Sequence, residues 1–423
     1  MSYLTGEILE PSALRFNYSS SSARHFIPRQ GLRIYGPYDS SILGKDKITS
    51  AIIYPSTLQY AKINLINGMT NGIGQFPGFQ RLFRVPLNTV SEKMIQQETE
   101  QEIRRAVQSL SCENPDIVFI LTSMRNEVLY SSTKAELLGN GIPNQIITAG
   151  KLQNDSQLQW TLENIALASY AKIGGTPWVA TSESTKRELV IGISRAQDRY
   201  KKFVVGFVTL FTQDGDFLLL NSLAPKPIEW EQDEYVDGLT SLITESYNEY
   251  CRLQGEPESI ILHLCKRPGR FREVEAIERS IHQIGKNIPY ALLHLNDDSN
   301  YRLFDAGNVT YVPRTGLKVE LSRRNTLLLL DGRVGDRRNR RGVPRVLDIS
   351  IDRRSTMDVS EFPRLVRQIY NFGRVNWRGF NAQTIPATLN YSYLIARLVT
   401  EIGSDRWNSI ASAGRLRDKA WFL

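Results

Sequence analysis

The sequence has 423 residues, enough for two or three domains at roughly 150 residues each. With 41% hydrophobic and 23% charged residues, the composition is that of a globular protein and excludes a chain that is disordered, collagen-like or coiled-coil throughout. The 52 basic and 44 acidic residues give a net charge of +8, which permits a polyanionic partner without requiring one.

Cysteine and histidine are too sparse for a zinc site or a disulfide framework. Cys112, Cys251 and Cys265 show no C-x-x-C spacing, and the four histidines form no H-x-x-x-H pair. The first residues lack a basic segment followed by an apolar stretch, and no run of about 18 apolar residues occurs. We therefore expect a cytoplasmic protein.

The first half of the chain alternates strands with helices. Residues 1–39 have a mixed composition and predict an extended arm that packs on another part of the protein. Apolar runs then predict strands at 48–55, 116–123 and 144–150, and helical spacing predicts helices at 91–110, 130–140 and 158–175. This order indicates a parallel, Rossmann-like sheet.

The pattern changes after Gly175. Strands at 188–195 and within 203–221 are predicted to run antiparallel, with a hairpin turn at Asp214-Gly215. Further helices are predicted at 233–253, 272–285, 359–372 and 392–402, and further strands at 259–266, 289–296 and 325–332. Antiparallel strands followed by alternating helices and strands are the order of a ribonuclease H-like fold. The expected fold class is therefore α/β, with a domain boundary near residue 176.

Five polar residues form a candidate anion-binding group in the first half. Tyr130 and Lys134 are four residues apart on one helix face, and Asn164 and Lys172 are eight apart on another. With Gln145, they project from the carboxyl side of the parallel sheet, where ligands of such folds usually bind. Two amines, a phenol, amides and a helix N-terminus suit a terminal phosphate. The alternative interpretation is two ordinary solvated helix faces.

Three segments carry a resemblance to a known family. They are KIGGTPW (172–178), VNWRGFNAQTIPATLNYSYLIA (375–396) and the terminal Trp421-Phe422-Leu423. Together with the five polar residues, they resemble the Argonaute/Piwi family, specifically its short prokaryotic members that contain only MID and PIWI domains. The resemblance implies an N-terminal arm at 1–39 packing on PIWI, a Rossmann-like MID domain at 40–175 and a ribonuclease H-like PIWI domain at 176–423.

The resemblance also implies roles for the candidate residues. Tyr130, Lys134, Gln145, Asn164, Lys172 and Leu423 would bind the 5′ phosphate of a guide strand. A Mg²⁺ or Mn²⁺ ion would join that phosphate to the terminal carboxylate of Leu423, which would otherwise repel it. Arg378 would bind a later phosphate of the strand, unless it forms only a surface salt bridge.

Slicing members of the family hold two metal ions with carboxylates, and these ligands look absent from the sequence. Ser194, Cys265 and Tyr393 occupy three of the ligand positions. A hydroxyl, a thiol and a phenol are poor ligands for Mg²⁺, so we expect the catalytic site to be inactive. Glu229 and Glu231 could supply one carboxylate, which alone is insufficient.

An arginine-rich loop at 333–345 is a second candidate for phosphate contact. It contains Arg333, Arg337, Arg338, Arg340, Arg341 and Arg345 with one acid, Asp336. Contacts from such a loop to a guide–target duplex would be independent of sequence and weakened by salt. A solvated hairpin loop, or contact with a partner protein, explains the composition equally well.

The expected function is guided recognition of nucleic acid without cleavage by this chain. Short family members typically bind 5′-phosphorylated guide RNA and single-stranded DNA targets in defence against plasmids or phages. They act with a partner that joins an APAZ domain to a TIR, sirtuin-like, nuclease or membrane effector. Two alternatives stay open: a guided endonuclease with an unusual metal site, and a structural subunit that binds no guide.

Overall fold

The structure is a computed structural model that describes residues 6–39, 43–110, 113–182, 184–197, 203–223, 226–227, 232–265, 272–334, 342–381, 383–411 and 413–423. Its strands belong to three sheets of three, four and ten strands. The fold is mixed α/β, as the sequence predicts. Short 3₁₀ helices occur at Ser56–Leu58, Ala149–Lys151, Val359–Glu361 and Gly414–Leu416.

The N-terminal arm is tied into the rest of the chain by strand pairing. It comprises β1 (Gly6–Ile8), β2 (Leu14–Arg15), β3 (Arg24–His25) and helix α1 (Pro28–Tyr35). β1 pairs at the edge of the ten-stranded sheet, and β2 forms the centre of the three-stranded sheet. The expectation of a purely extended arm is wrong, because Pro28 fixes φ at the first turn of a helix.

The four-stranded sheet is fully parallel and has the order β5-β4-β6-β7. Helices cover it in a Rossmann-like alternation. The elements are β4 (Ile48–Pro55), α2 (Gln59–Asn71), α3 (Phe79–Phe83), β5 (Leu87–Ile95), α4 (Glu100–Ser109), β6 (Ile117–Thr122), α5 (Glu127–Gly139), β7 (Asn144–Thr148) and α6 (Asp155–Lys172).

The helix predicted at 91–110 is wrong at its first turns. Residues through Ile95 form the edge strand β5, in which Ser91 pairs with Ala51. The helix begins only at Glu100, because the Thr99 hydroxyl accepts a hydrogen bond from the Glu102 amide and caps its N-terminus. Helices α2 and α3 were not predicted.

The ten-stranded sheet contains the ribonuclease H-like part of the fold. The remaining elements are β8 (Val179–Ala180), which belongs to the three-stranded sheet, β9 (Glu188–Gln197), β10 (Phe203–Thr212), β11 (Phe217–Ser222), β12 (Lys226–Pro227), α7 (Gln232–Gln254), β13 (Ser259–Cys265), α8 (Glu273–Ile284), β14 (Tyr290–Asn296), β15 (Leu317–Ser322), β16 (Asn325–Leu328), β17 (Leu347–Ile351), α9 (Phe362–Phe372), α10 (Ala387–Ile402) and α11 (Ser404–Ala411). Antiparallel β11, β10 and β9 are followed by β13 and β14, which run parallel to β9.

The predicted hairpin at Asp214-Gly215 is present between β10 and β11, with Gly215 at a φ of 77°. The predicted ribonuclease H-like order is therefore confirmed, whereas β15 and β17 were missed. Helix α10 starts at Ala387, five residues before the predicted position, with Pro386 in extended backbone at its N-cap position.

Helix α10 packs very closely on β9. A side chain at Gly192 would place its Cβ 2.5 Å from the Thr209 hydroxyl and 3.2 Å from the Thr388 carbonyl. The His263 ring on β13 contacts the Thr388 hydroxyl at 2.9 Å. This face of the sheet therefore brings the ends of β9 and β13 against α10.

Candidate nucleic-acid-binding site

A cavity of about 570 Å³ lies where the carboxyl ends of the parallel strands face α10 and the end of the chain. All seven binding residues suggested by the sequence line it: Tyr130, Lys134, Gln145, Asn164, Lys172, Arg378 and Leu423. Residues as far apart in sequence as Tyr130 and Leu423 thus line the same cavity. The cavity is lined by both halves of the fold.

Helix α5 supplies the first wall. The Asn126 side chain accepts a hydrogen bond from the Leu129 amide and so fixes the start of the helix at the cavity. Tyr130 and Lys134 follow on one face, with the Lys134 amine 5.4 Å from the centre of the Tyr130 ring. Lys134 is 4% exposed, and burial lowers the pKa of its amine to about 8 against the opposing effect of the Glu401 carboxylate.

Strand β7 and helix α6 supply the second wall. The Lys172 amine donates hydrogen bonds to the Asn144 carbonyl at 2.9 Å and to the Gln145 side-chain oxygen at 2.6 Å. Burial, reinforced by the positive charges of Lys134 and Arg378, holds the pKa of Lys172 well below its ordinary value. A buried amine of this kind gains from the approach of an anion.

The Asn-Trp-Arg segment at 376–378 is held rigidly beside the cavity. The Trp377 indole is 2% exposed and donates a hydrogen bond to the Trp178 carbonyl at 3.0 Å. The Asn376 side chain accepts a bond from the Arg378 amide, which closes a short turn. The Arg378 side chain is exposed and lines the cavity. Among the described residues it forms no ion pair.

The last residues of the sequence are packed into the core rather than exposed. Phe422 is 5% exposed and lies against the rings of Phe217 and Tyr391. Leu423 is 8% exposed, and its amide donates to the Ala420 carbonyl. This packing places both Phe422 and Leu423 at the cavity wall.

Several lining residues were missed by the sequence reasoning. They are Arg125, Asn126, Lys151, Gln157, Thr161, Arg397 and Glu401. Arg397 and Glu401 form an ion pair of 2.7 Å on α10. With Leu394 and Leu398 they repeat at the i, i+3, i+4, i+7 spacing of one helix face, and this pattern was a readable signal. Six cationic and one acidic side chain line the cavity among the described residues.

The three positions that the resemblance assigns to a metal site lie at the ends of neighbouring elements. The Cys265 thiol donates a hydrogen bond to the Tyr393 hydroxyl at 3.0 Å, and that hydroxyl donates to the Asp297 carboxylate at 2.8 Å. Leu264 pairs with Ile193, so Ser194 and Cys265 follow neighbouring positions on adjacent strands. Burial raises the pKa of the Tyr393 phenol. Asp297, directly after β14, was not considered in the sequence.

In the part of the chain that the structure describes, no group of three or more His, Cys, Asp or Glu side chains is placed to hold a metal ion. Glu229 and Glu231 lie outside the described residues, so the structure does not address their candidate role.

The arginine-rich loop is described only at its ends. Arg333 forms an ion pair with Asp305 at 3.0 Å and Arg345 with Asp298 at 3.2 Å. Arg337, Arg338, Arg340 and Arg341 lie outside the described residues, as does Asp336. The phosphate-contact hypothesis for this loop stays a prediction.

Comparison with known proteins identifies the family. The Piwi domain family matches residues 116–327, half of the chain. A Piwi protein of Archaeoglobus fulgidus is 25% identical over 411 residues, which cover 93% of both chains. A protein argonaute of Cereibacter sphaeroides is 24% identical over 93% of this chain but only 56% of its own length.

Solved structures show the same fold. Drosophila Piwi superposes with a TM-score of 0.73 at 17% identity, covering 99% of this chain and 56% of that one. The Clostridium butyricum Argonaute bound to a guide DNA and a 19-mer target DNA superposes with a TM-score of 0.74 at 16% identity, covering 94% and 53%. The chain therefore spans just over half the length of these larger relatives.

A parallel α/β sheet and a ribonuclease H-like sheet share one basic cavity, which is the arrangement of the two halves of this fold. The chain belongs to the Argonaute/Piwi family. Membership suggests nucleic-acid-guided recognition as its general function. Among the described residues, no helix is both long and apolar enough to cross a membrane.

Proposed function

We propose that the chain binds the 5′-phosphorylated end of a short guide RNA and uses the guide to recognise complementary single-stranded DNA. The observation that carries the proposal is the pair of buried amines, Lys134 and Lys172, in a cavity with a large excess of positive charge. Burial lowers the pKa of both amines, so the cavity disfavours their protonated, positively charged forms. A terminal phosphate, with about −1.5 to −2 charges, stabilises those forms.

The other lining residues fit the remaining parts of such a strand. Gln145 and Asn164 offer amide groups, and Tyr130 offers a phenol, to the phosphate oxygens. Arg378, exposed at the same cavity, is suited to a later phosphate in the strand. The choice of RNA as guide and DNA as target rests on the family resemblance, because a phosphate pocket does not distinguish the two sugars.

A divalent cation fits this site chemically. The Leu423 carboxylate and the phosphate both supply hard oxygen donors, which Mg²⁺ and Mn²⁺ prefer. Leu423 lies at the cavity wall. Among the described lining residues, Glu401 has the one acidic side chain, so the terminal carboxylate would be the main protein ligand for the ion. The ion would offset the repulsion between carboxylate and phosphate, while Lys134 and Lys172 neutralise the rest of the charge.

We further propose that this chain does not cleave its target. The metal-ligand positions hold Ser194, Cys265 and Tyr393, and the Tyr393 hydroxyl is engaged between a thiol and the Asp297 carboxylate. Effector activity would then come from a separate APAZ-domain protein in prokaryotic defence, as short members of the family suggest. A guide-loaded sample incubated with labelled complementary DNA and Mn²⁺ should leave the DNA intact, and cut product would refute this part.

The test of guide binding compares two ligands and matched variants. A short RNA with a 5′ phosphate should bind more tightly than the same RNA with a 5′ hydroxyl. Replacing Lys134 and Lys172 by alanine should remove this difference, whereas the exposed Lys186→Ala control should retain it. Equal affinity for both RNAs in the unmodified protein would refute the proposal. Short strands that co-purify with the protein should resist 5′ labelling by kinase until treated with phosphatase.

A further inference from the structure

An arginine of the N-terminal arm contacts two aromatic rings near the cavity. The Arg29 guanidinium carbon lies 4.7 Å from the centre of the Trp160 ring and 4.9 Å from that of Phe380. Its Nε donates a hydrogen bond of 2.7 Å to Glu163, whose side chain is fully buried. Two ring contacts and an ion pair together restrict the orientation of the planar group.

The two rings belong to two of the elements that carry proposed phosphate ligands. Trp160 lies on α6 one helical turn before Asn164, and Phe380 lies two residues after Arg378. These elements also touch directly, because a Cβ at Gly379 would lie 3.5 Å from the Asn164 side-chain oxygen. Arg29 therefore spans the contact between helix α6 and the segment containing Arg378.

The stack continues into the core. The Phe380 ring packs on Trp178 with ring centres 5.8 Å apart and an interplanar angle of 29°. Trp178 is fully buried and donates its indole N–H to the Arg374 carbonyl at 2.9 Å. Arg29 thus connects a half-buried ring on α6, through Phe380, to the buried Trp178 ring directly before β8.

We infer that Arg29 is a positioning residue that aligns Arg378 with the 5′-phosphate cavity, so that the N-terminal arm forms part of the guide-strand site. This inference rests on the proposed function. Without the Arg29 side chain, helix α6 still keeps Lys172 and Asn164 in the cavity. The segment that contains Arg378 is then no longer held at a fixed distance from these two residues. The phosphate pocket stays intact, while the next part of the strand loses its aligned contact.

The predicted effect depends on ligand length. Arg29→Ala should lower the affinity for a 5′-phosphorylated RNA of about eight nucleotides roughly tenfold, and leave that for a nucleoside 5′-monophosphate within about twofold. Arg33→Ala is the matched control, because Arg33 also bonds Glu163, at 2.8 Å, from the same helix but has no ring contact in the described structure. Arg29→Lys, which keeps the charge but not the planar stack, should give an intermediate affinity.

A double-mutant cycle separates positioning from general destabilisation. If Arg29 acts through Arg378, the variant lacking both side chains should bind the RNA about as weakly as either single variant, rather than with multiplied losses. Multiplied losses, an equal loss for the monophosphate, or an Arg33→Ala effect as large as that of Arg29→Ala would overturn the inference. Failure of the unmodified protein to bind either ligand would instead refute the proposed function.

Discussion

The affinity for a 5′-phosphorylated guide should fall as the pH rises from 7 to 9, and Lys134 should cause much of the fall. The phosphate loses its second proton near pH 6, so it is fully charged throughout this range. Burial lowers the pKa of Lys134 to about 8, whereas contact with a phosphate favours the protonated amine. A protein molecule whose Lys134 is neutral must therefore take up a proton when it binds the phosphate, and this costs more free energy as the pH rises.

The size of the effect follows from the pKa. About nine-tenths of Lys134 is protonated at pH 7 and about one-tenth at pH 9, so this residue alone weakens binding roughly tenfold over the range. That factor corresponds to about 1.4 kcal/mol. Lys172 acts in the same direction, because its pKa is also lowered by burial, and it adds to the total slope.

Replacing Lys134 with arginine measures how much of the pH-dependent loss of affinity comes from Lys134. A guanidinium stays protonated at pH 9, so the Lys134→Arg variant should lose about tenfold less affinity between pH 7 and 9 than the unmodified protein. Lys172 is present in both proteins, so the two profiles differ by the titration of Lys134 and by its electrostatic coupling to Lys172. Fluorescence anisotropy with a labelled RNA, at constant ionic strength, measures both profiles, and exposed Lys186→Arg should reproduce the unmodified profile.

Parallel profiles for the unmodified protein and Lys134→Arg would show that Lys134 does not contact the phosphate. A 5′-hydroxyl RNA provides a second check, because its affinity should depend much less on pH. If the arginine variant binds too weakly to measure, Lys134→Gln serves instead. Its weaker binding should likewise lack the roughly tenfold loss between pH 7 and 9.

Three further outcomes follow from neighbouring groups. Deleting Leu423 should weaken guide binding and abolish its dependence on Mg²⁺, measured by titration with and without EDTA; a C-terminal extension that binds as well as the native chain would contradict this. Glu401→Gln should raise the affinity for the phosphorylated RNA by roughly two- to fivefold, since it removes the acidic side chain of the cavity wall, and unchanged or weaker binding would count against it. Burial raises the pKa of Asp216 to about 7 from an ordinary 3.8, so its contribution to stability is complete below pH 4 and is lost as the pH rises through 7. Asp216→Asn should therefore stabilise the protein at pH 8, by roughly 4 kcal/mol at most, relative to pH 4, and denaturant titrations showing an equal effect at both pH values would refute it.

The sequence predicts the fold well where local patterns agree with burial. Continuous apolar runs such as Ile117–Thr122 are buried on both faces of a parallel sheet, so the strand is readable without tertiary information. The edge strand Leu87–Ile95 is different: it is mostly exposed and polar, and its pairing with β4 decides its conformation. Only the Thr99 cap marked where the following helix could begin.

The candidate site shows the same division. Tyr130 and Lys134 are recognisable from four-residue spacing on one helix, which is local information. The approach of α10 and the Arg397–Glu401 pair to the cavity depends on how α10 packs against β9, where Gly192 allows close contact. No local pattern encodes that distance, although the apolar and charged residues of α10 share one face.

The position of Arg29 shows why the arm cannot be judged from its composition alone. Its strands β1 and β2 pair with the distant strands β15 and β8, and its helix is too brief to be stable by itself, so its order depends on these pairings and on contacts with α6. Because those contacts reach Trp160 and Phe380, the free energy that orders the arm also fixes the spacing between α6 and the segment that contains Arg378. Coupling between two sites is reciprocal, so a guide RNA that contacts both Lys172 and Arg378 should in turn stabilise the arm. Amide hydrogen exchange of residues 29–35 should therefore slow when guide RNA binds, and should do so less in Arg29→Ala than in Arg33→Ala.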